Sequence, residues 1–101
     1  LKWLVDCSVA LGAEILCGPF FQPLSTFSGA GPTPREWDRL VATQTAMADH
    51  AGSAITLAVE PLNRFECYAL TTAADAARLV AAVARANYGY LYDTFHANIE
   101  E

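Results

Sequence analysis

The sequence lacks any apolar run of the ~18–20 residues needed to cross a bilayer, although 53% of its 101 residues are hydrophobic. It has no CxxC pair and no Cys/His zinc pattern. Its three cysteines, Cys7, Cys17 and Cys67, are widely spaced, as expected of reduced thiols in a cytoplasmic protein. The six Lys and Arg residues form no cluster, and the formal net charge is −5. An acidic surface repels phosphate backbones, so no nucleic-acid partner is expected. There is no tandem repeat and no GxGxxG fingerprint after a strand, which argues against dinucleotide binding. Leu1-Lys2-Trp3-Leu4 shows neither an initiator Met nor a signal-peptide layout, and Asn98-Ile99-Glu100-Glu101 carries no terminating signal. Both ends are therefore expected to be cuts through a longer protein.

What the sequence does contain is an alternation of helix-like stretches and short apolar runs. Leu1 to Leu11 predicts a helix with Leu4, Val5, Ser8 and Leu11 on one stripe, stopped by Gly12. Ala13 to Cys17 predicts a short strand. Gly18 to Pro32 is rich in Gly, Pro and Ser, and connections this long are often functional lids. Thr33 as N-cap, Pro34 in the first turn and Glu36 three residues on form a capping-box signature. Trp37, Leu40, Val41, Met47, Ala48 and Ala51 follow at helical spacing up to Gly52, with Gln44 as the polar member.

Ala54 to Val59 predicts a parallel strand covered on both faces, ended by Glu60-Pro61. Thr72 with Asp75 starts a third helix whose buried stripe is Ala76, Leu79, Val80, Val83 and Ala84. Tyr88 to Tyr92 predicts the last strand, ended by Asp93. The resulting order, α-β-α-β-α-β, implies a parallel sheet with right-handed crossovers. The pattern alone does not choose between a doubly wound layer and a closed barrel.

Two successive strands end in a carboxylate, Glu60 and Asp93. Ends of neighbouring parallel strands lie on one face about 4.8 Å apart. Carboxylates that converge there must share a proton or hold a cation, and hard divalent ions suit such oxygen donors. Further polar groups follow each junction: Asn63, Arg64 and Glu66 after Glu60, and Thr94, His96 and Asn98 after Asp93. His96 is close enough along the chain to turn back toward the same pocket. Each has an ordinary reading beside the functional one. Glu60 alone could cap a helix or pair with an Arg, Asp93 alone could form a turn, and Glu66 could pair with Arg64. His96 could be an ordinary surface or satisfied histidine, His50 could cap the end of the second helix or face solvent, and Glu100 and Glu101 could be solvated or helix-starting charges. The repeat of the same acid-then-polar layout at two successive junctions favours the functional reading.

The segments Leu57-Ala58-Val59-Glu60-Pro61-Leu62-Asn63-Arg64-Phe65-Glu66 and Tyr92-Asp93-Thr94-Phe95-His96-Ala97-Asn98-Ile99-Glu100-Glu101 resemble the ketose 3-epimerases, the D-tagatose and D-psicose 3-epimerase family of the xylose isomerase-like TIM barrel superfamily. Cys17-Gly18-Pro19 and Phe27-Ser28-Gly29 are similar to that family's third strand and following loop. The resemblance implies an α/β fold in which residues 1–101 form the central portion, about strands 3 to 5, of a parallel (β/α)8 barrel. It implies that Glu60 is both a metal ligand and one of two proton-transfer bases. It implies that Asp93 is a metal ligand, and that Glu66 and His96 bind the substrate. The implied cofactor is Mn2+, with Co2+ or Mg2+ as alternatives. The implied partner is a small ketose, and the complete protein would be a homo-oligomer, dimer or tetramer.

The chemistry that goes with this family is proton abstraction beside a carbonyl. The metal would bridge O2 and O3 of the ketose and stabilise a cis-enediolate, and a second base on the opposite face would return the proton. The resemblance also implies parts that this chain does not contain: a histidine ligand from a sixth strand, an arginine, and a second glutamate from an eighth. The 101 residues alone are therefore expected to bind metal weakly and to turn nothing over. An aldose–ketose isomerase, a hydroxypyruvate isomerase or an inosose dehydratase of the same superfamily would use the same strand ends. A non-catalytic sugar-binding protein could also keep the motif. The apurinic-endonuclease branch needs a zinc cluster and a DNA-binding face, which the acidic balance disfavours. Phe20, Phe21 and Phe27 either pack the barrel rim or wall the sugar site.

Overall fold

The computed structural model describes residues 1–101 as alternating helices and parallel strands. Helix α1 (Lys2–Ala10) leads to β1 (Ile15–Gly18), α2 (Pro34–Ala51) to β2 (Thr56–Val59), and α3 (Ala73–Val83) to β3 (Tyr88–Tyr90). A seventh element, α4 (Thr94–Glu100), follows. The three strands pair in the order β1-β2-β3, all parallel.

The helix starts follow from local chemistry. Thr33 accepts the Glu36 N–H while the Glu36 carboxylate accepts the Thr33 N–H, with Pro34 in the first turn. Thr72 and Asp75 repeat the arrangement at α3. Each box satisfies two donors that the helix itself leaves unpaired. Gly12 and Gly52, at φ +78° and +55°, end α1 and α2 in backbone conformations that side-chain-bearing residues avoid.

The strands are shorter than the apolar runs suggested. β1 begins at Ile15 instead of Ala13 and extends to Gly18, and β2 begins at Thr56 instead of Ala54. β3 stops at Tyr90, although the Leu91 N–H still donates to Val59 O at 2.8 Å. Register sorts the side chains into two faces. Leu16, Leu57 and Tyr88 form one row facing the helices, and Gly18, Val59 and Tyr90 the next. The core combines Leu57, Val59 and Tyr88 with Val5, Leu40, Met47, Ala48, Leu79 and Val83. The opposite face carries Ile15, Thr56, Cys17, Ala58 and Gly89 and stays open, with Ile15 59% exposed. Within residues 1–101, helices cover one face of β2. In a closed barrel the other face is the one filled from opposite strands.

Three other expectations change. Leu11 is not on the buried stripe of α1: it follows the last helical turn and is 87% exposed. Ala84 is the left-handed C-cap of α3 and is exposed. Gln44 does more than lay its stem on an apolar surface. It is fully buried, donates to Phe20 O at 3.2 Å and accepts the Tyr88 hydroxyl at 2.7 Å. Burial pushes the Tyr88 phenol well above its ordinary value.

The connection from β1 to α2 is tied down. The Gln22 side-chain oxygen accepts the Tyr68 and Ala69 N–H groups, and the Ser25 N–H donates to Glu66 O. Phe20 and Phe21 pack against the core, while Phe27 is half exposed.

Candidate active site

β2 and β3 are direct neighbours, so their C-terminal ends lie side by side. The Glu60 N–H donates to Gly18 O at 2.9 Å. This bond continues the ladder one residue past β2 and turns the Glu60 side chain to the open face, opposite Val59. Asp93 arrives two residues beyond the ladder and caps α4, its Oδ1 accepting the Phe95 N–H at 2.8 Å. His96 lies in the first turn of that helix and is nearly buried.

One ligand atom from each of Glu60, Asp93 and His96 falls within 4.8 Å of the others. His96 Nε2 is 3.9 Å from Glu60 Oε1 and 3.9 Å from Asp93 Oδ2. These separations are too long for direct hydrogen bonds and leave room for an atom between them. Burial raises the Glu60 carboxyl above its ordinary value of 4.5, and the facing Asp93 carboxylate raises it further. No Lys or Arg pairs with either carboxylate: Arg64 pairs with Glu100, and Arg85 with Asp49. Two under-neutralised carboxylates beside an imidazole fit a hard divalent cation.

The loop after β2 has its own core. Leu62, Asn63, Cys67 and Leu70 are all buried, and the Cys67 thiol lies against Leu62 O and Leu70 O at 3.4 and 3.1 Å. Burial pushes that thiol up, which suits a structural role. Cys7, Cys17 and Cys67 are all free. Glu66 does not pair with Arg64. Its Oε2 accepts from Asn63 Nδ2 at 2.6 Å and lies 3.6 Å from His96 Nδ1.

Glu100 corrects a second reading. Its side chain is only 8% exposed, and its Oε1 accepts from Arg64 N at 2.6 Å and Arg64 Nε at 2.9 Å. These bonds hold the Glu100 carboxyl below its ordinary value. Glu101 accepts the Ala73 N–H at 2.9 Å. Neither is a freely solvated charge. His50 lies away from the site and pairs with Asp6 at 2.6 Å, while Thr94 and Asn98 are exposed.

The structure thus brings Glu60, Glu66, Asp93 and His96 together. What the motifs did not reveal is that Asn63 touches both Glu66 and His96. Nor did they reveal α4, although an Asp followed by helix-compatible residues is a recognised N-cap signal.

The model of the family described as "Xylose isomerase-like TIM barrel" matches residues 1–101. The chain belongs to this family. Among curated relatives, it is 41% identical over 102 residues to a Synechocystis sp. protein named "Probable ketose 3-epimerase", a match covering all of this chain and 34% of that one. It is 33% identical over 103 residues to the L-ribulose 3-epimerase of Methylomonas sp., covering all of this chain and 35% of the relative. Among solved structures, D-allulose 3-epimerase from Methylomonas sp. in complex with D-allulose superposes with a TM-score of 0.92 at 30% identity, covering 99% of this chain and 35% of that one. The chain therefore spans about a third of the length of the curated relatives it matches. The fold is that of a xylose isomerase-like barrel, of which these residues form three successive parallel strands with their helices. No helix is long and apolar enough to cross a membrane.

Proposed function

We propose that the complete protein containing this chain is a divalent-metal-dependent isomerase that inverts C3 of a ketose. The observation that carries this reading is the convergence of Glu60, Asp93 and His96 at the ends of two adjacent strands. The epimerase names of the relatives support it. Glu60 and Asp93 would hold the ion, Mn2+ in first place and Co2+ or Mg2+ otherwise. A divalent cation bound there supplies positive charge against which negative charge can develop on substrate oxygens.

The chain's own residues would do the rest. Glu60, flanked by a second carboxylate and partly withdrawn from water, takes the proton from C3. Glu66 and His96, joined through Asn63, hold the hydroxyl and carbonyl end of the sugar. A base on the opposite face, from outside these residues, returns a proton and so inverts the centre. The same reading makes the complete protein a cytoplasmic dimer or tetramer with reduced thiols. In the complete protein, Glu60→Gln keeps the shape of the side chain and removes the base. Turnover should fall by about 10²–10⁴-fold or more with an unchanged circular dichroism spectrum. Near-normal turnover would remove Glu60 from the mechanism.

A further inference from the structure

Asn63 sits between the two residues read above as substrate-binding, and both ends of its side-chain amide meet a partner whose role is fixed. The Phe65 N–H can only donate, and it reaches Asn63 Oδ1 at 2.9 Å. The Glu66 carboxylate accepts from Asn63 Nδ2 at 2.6 Å. Turning the amide over would set donor against donor at Phe65 and acceptor against acceptor at Glu66, so its orientation is determined from both sides. The second Nδ2 hydrogen and the Asn63 backbone N–H both approach His96 Nδ1, at 2.9 and 3.1 Å. A backbone N–H has no lone pair to offer. His96 Nδ1 must therefore be the acceptor, and in a neutral imidazole the proton then resides on Nε2. Nε2 is the atom that faces Glu60 and Asp93 at 3.9 Å.

We propose that Asn63 is a positioning residue that sets His96 as the Nε2–H tautomer, so that His96 meets the site as a hydrogen-bond donor and not as a ligand to a cation. A protonated ring nitrogen has no lone pair for a metal. Although His96 lies within coordinating reach of the carboxylates, it is available instead to donate to an oxygen placed between them. Asn63 is 3% exposed, which keeps water from competing for the same atoms. The catalytic use of that donor rests on the ketose-epimerase reading; the tautomer does not.

The test is the long-range proton–nitrogen correlation spectrum of the His96 imidazole in the complete protein, assigned by its loss in His96→Gln. It is recorded without metal and with diamagnetic Mg2+. The expected result is a proton on Nε2 and a bare Nδ1 in both states. Asn63→Asp keeps the backbone N–H on Nδ1 but sets an acceptor where Nδ2 donated, so the two favour opposite tautomers and a second, Nδ1–H population should appear beside the Nε2–H one. A wild-type Nδ1–H tautomer, or loss of the Nε2 proton on adding Mg2+, would overturn the proposal. An unchanged spectrum in Asn63→Asp would show that the backbone N–H alone sets the tautomer and would overturn the positioning role of the Asn63 side chain. Should that variant not fold, the wild-type spectra still decide. An Nε2–H spectrum in a protein that epimerises no ketose would sink the functional reading and leave this assignment standing.

Discussion

At Asp93 one carboxylate oxygen accepts the Phe95 N–H that starts α4, while the other faces His96 Nε2 at 3.9 Å. The ordinary structural role of this residue uses one oxygen, and the ligand role proposed above would use the other. The two roles separate by substitution. Asn caps helices about as well as Asp, so Asp93→Asn should leave the melting temperature nearly unchanged. It removes a charge, so manganese affinity should fall about tenfold or more, as for loss of a charge-bearing ligand worth at least 1.4 kcal/mol. A titration indistinguishable from wild type would leave Asp93 as a cap alone. Glu60 and Asp93 stood out in the sequence because each ends a strand, and Glu66 and His96 because their segments resemble the ketose 3-epimerases. Asn63 stood out only as one more polar residue after Glu60, and Glu100 not as a structural partner at all. Their decisive hydrogen bonds, to His96 and from Arg64, span 33 and 36 residues, and no local spacing encodes a contact of that range.

Helix starts were readable because the capping boxes are purely local: Thr33 with Glu36, and Thr72 with Asp75. Strand ends were less so, because an apolar run such as Ala54 to Val59 continues past the point where pairing begins. Helix α4 escaped notice because its seven residues carry one polar buried side chain, His96, and no apolar stripe. It is anchored instead by the Arg64–Glu100 pair. The Glu100 carboxyl is depressed when folded, so the folded state binds its proton less readily than the unfolded state. The stabilisation is therefore full above the ordinary carboxylate value and is lost as pH falls through the depressed one. Melting temperature should accordingly drop more steeply for wild type than for Glu100→Gln between roughly pH 5 and pH 3. Parallel slopes would mean that the pair contributes nothing to stability. Gln44 ties α2 to β3 and to the loop after β1 in the same manner. Gln44→Leu orphans the Tyr88 hydroxyl and the Phe20 carbonyl and should cost about 1–3 kcal/mol for each group left unpaired. Adding Tyr88→Phe should recover part of that loss in a double-mutant cycle. Strict additivity would show that the buried bond is not what links them.

Across the whole molecule, three parallel strands bury one face under helices and leave Ile15, Thr56 and Cys17 on the other face exposed. This is what a segment of a barrel wall looks like from its inner side. The alternation of elements made the parallel sheet legible, but a closed barrel and an open layer share that pattern. The choice came from the residues at the strand ends and from the family match over residues 1–101. The site is likewise one side of a pocket. In the function proposed above it would supply a base, a ligand pair and a donor on one face of a sugar, with a partner base opposite. The most direct test of this account is to follow D-fructose and D-tagatose by NMR in heavy water with the complete protein and manganese. The account predicts deuterium at C3 with accumulation of the epimeric ketose. Deuterium at C1 with C3 untouched would mean aldose–ketose isomerisation and would contradict it, as would the absence of exchange at either carbon.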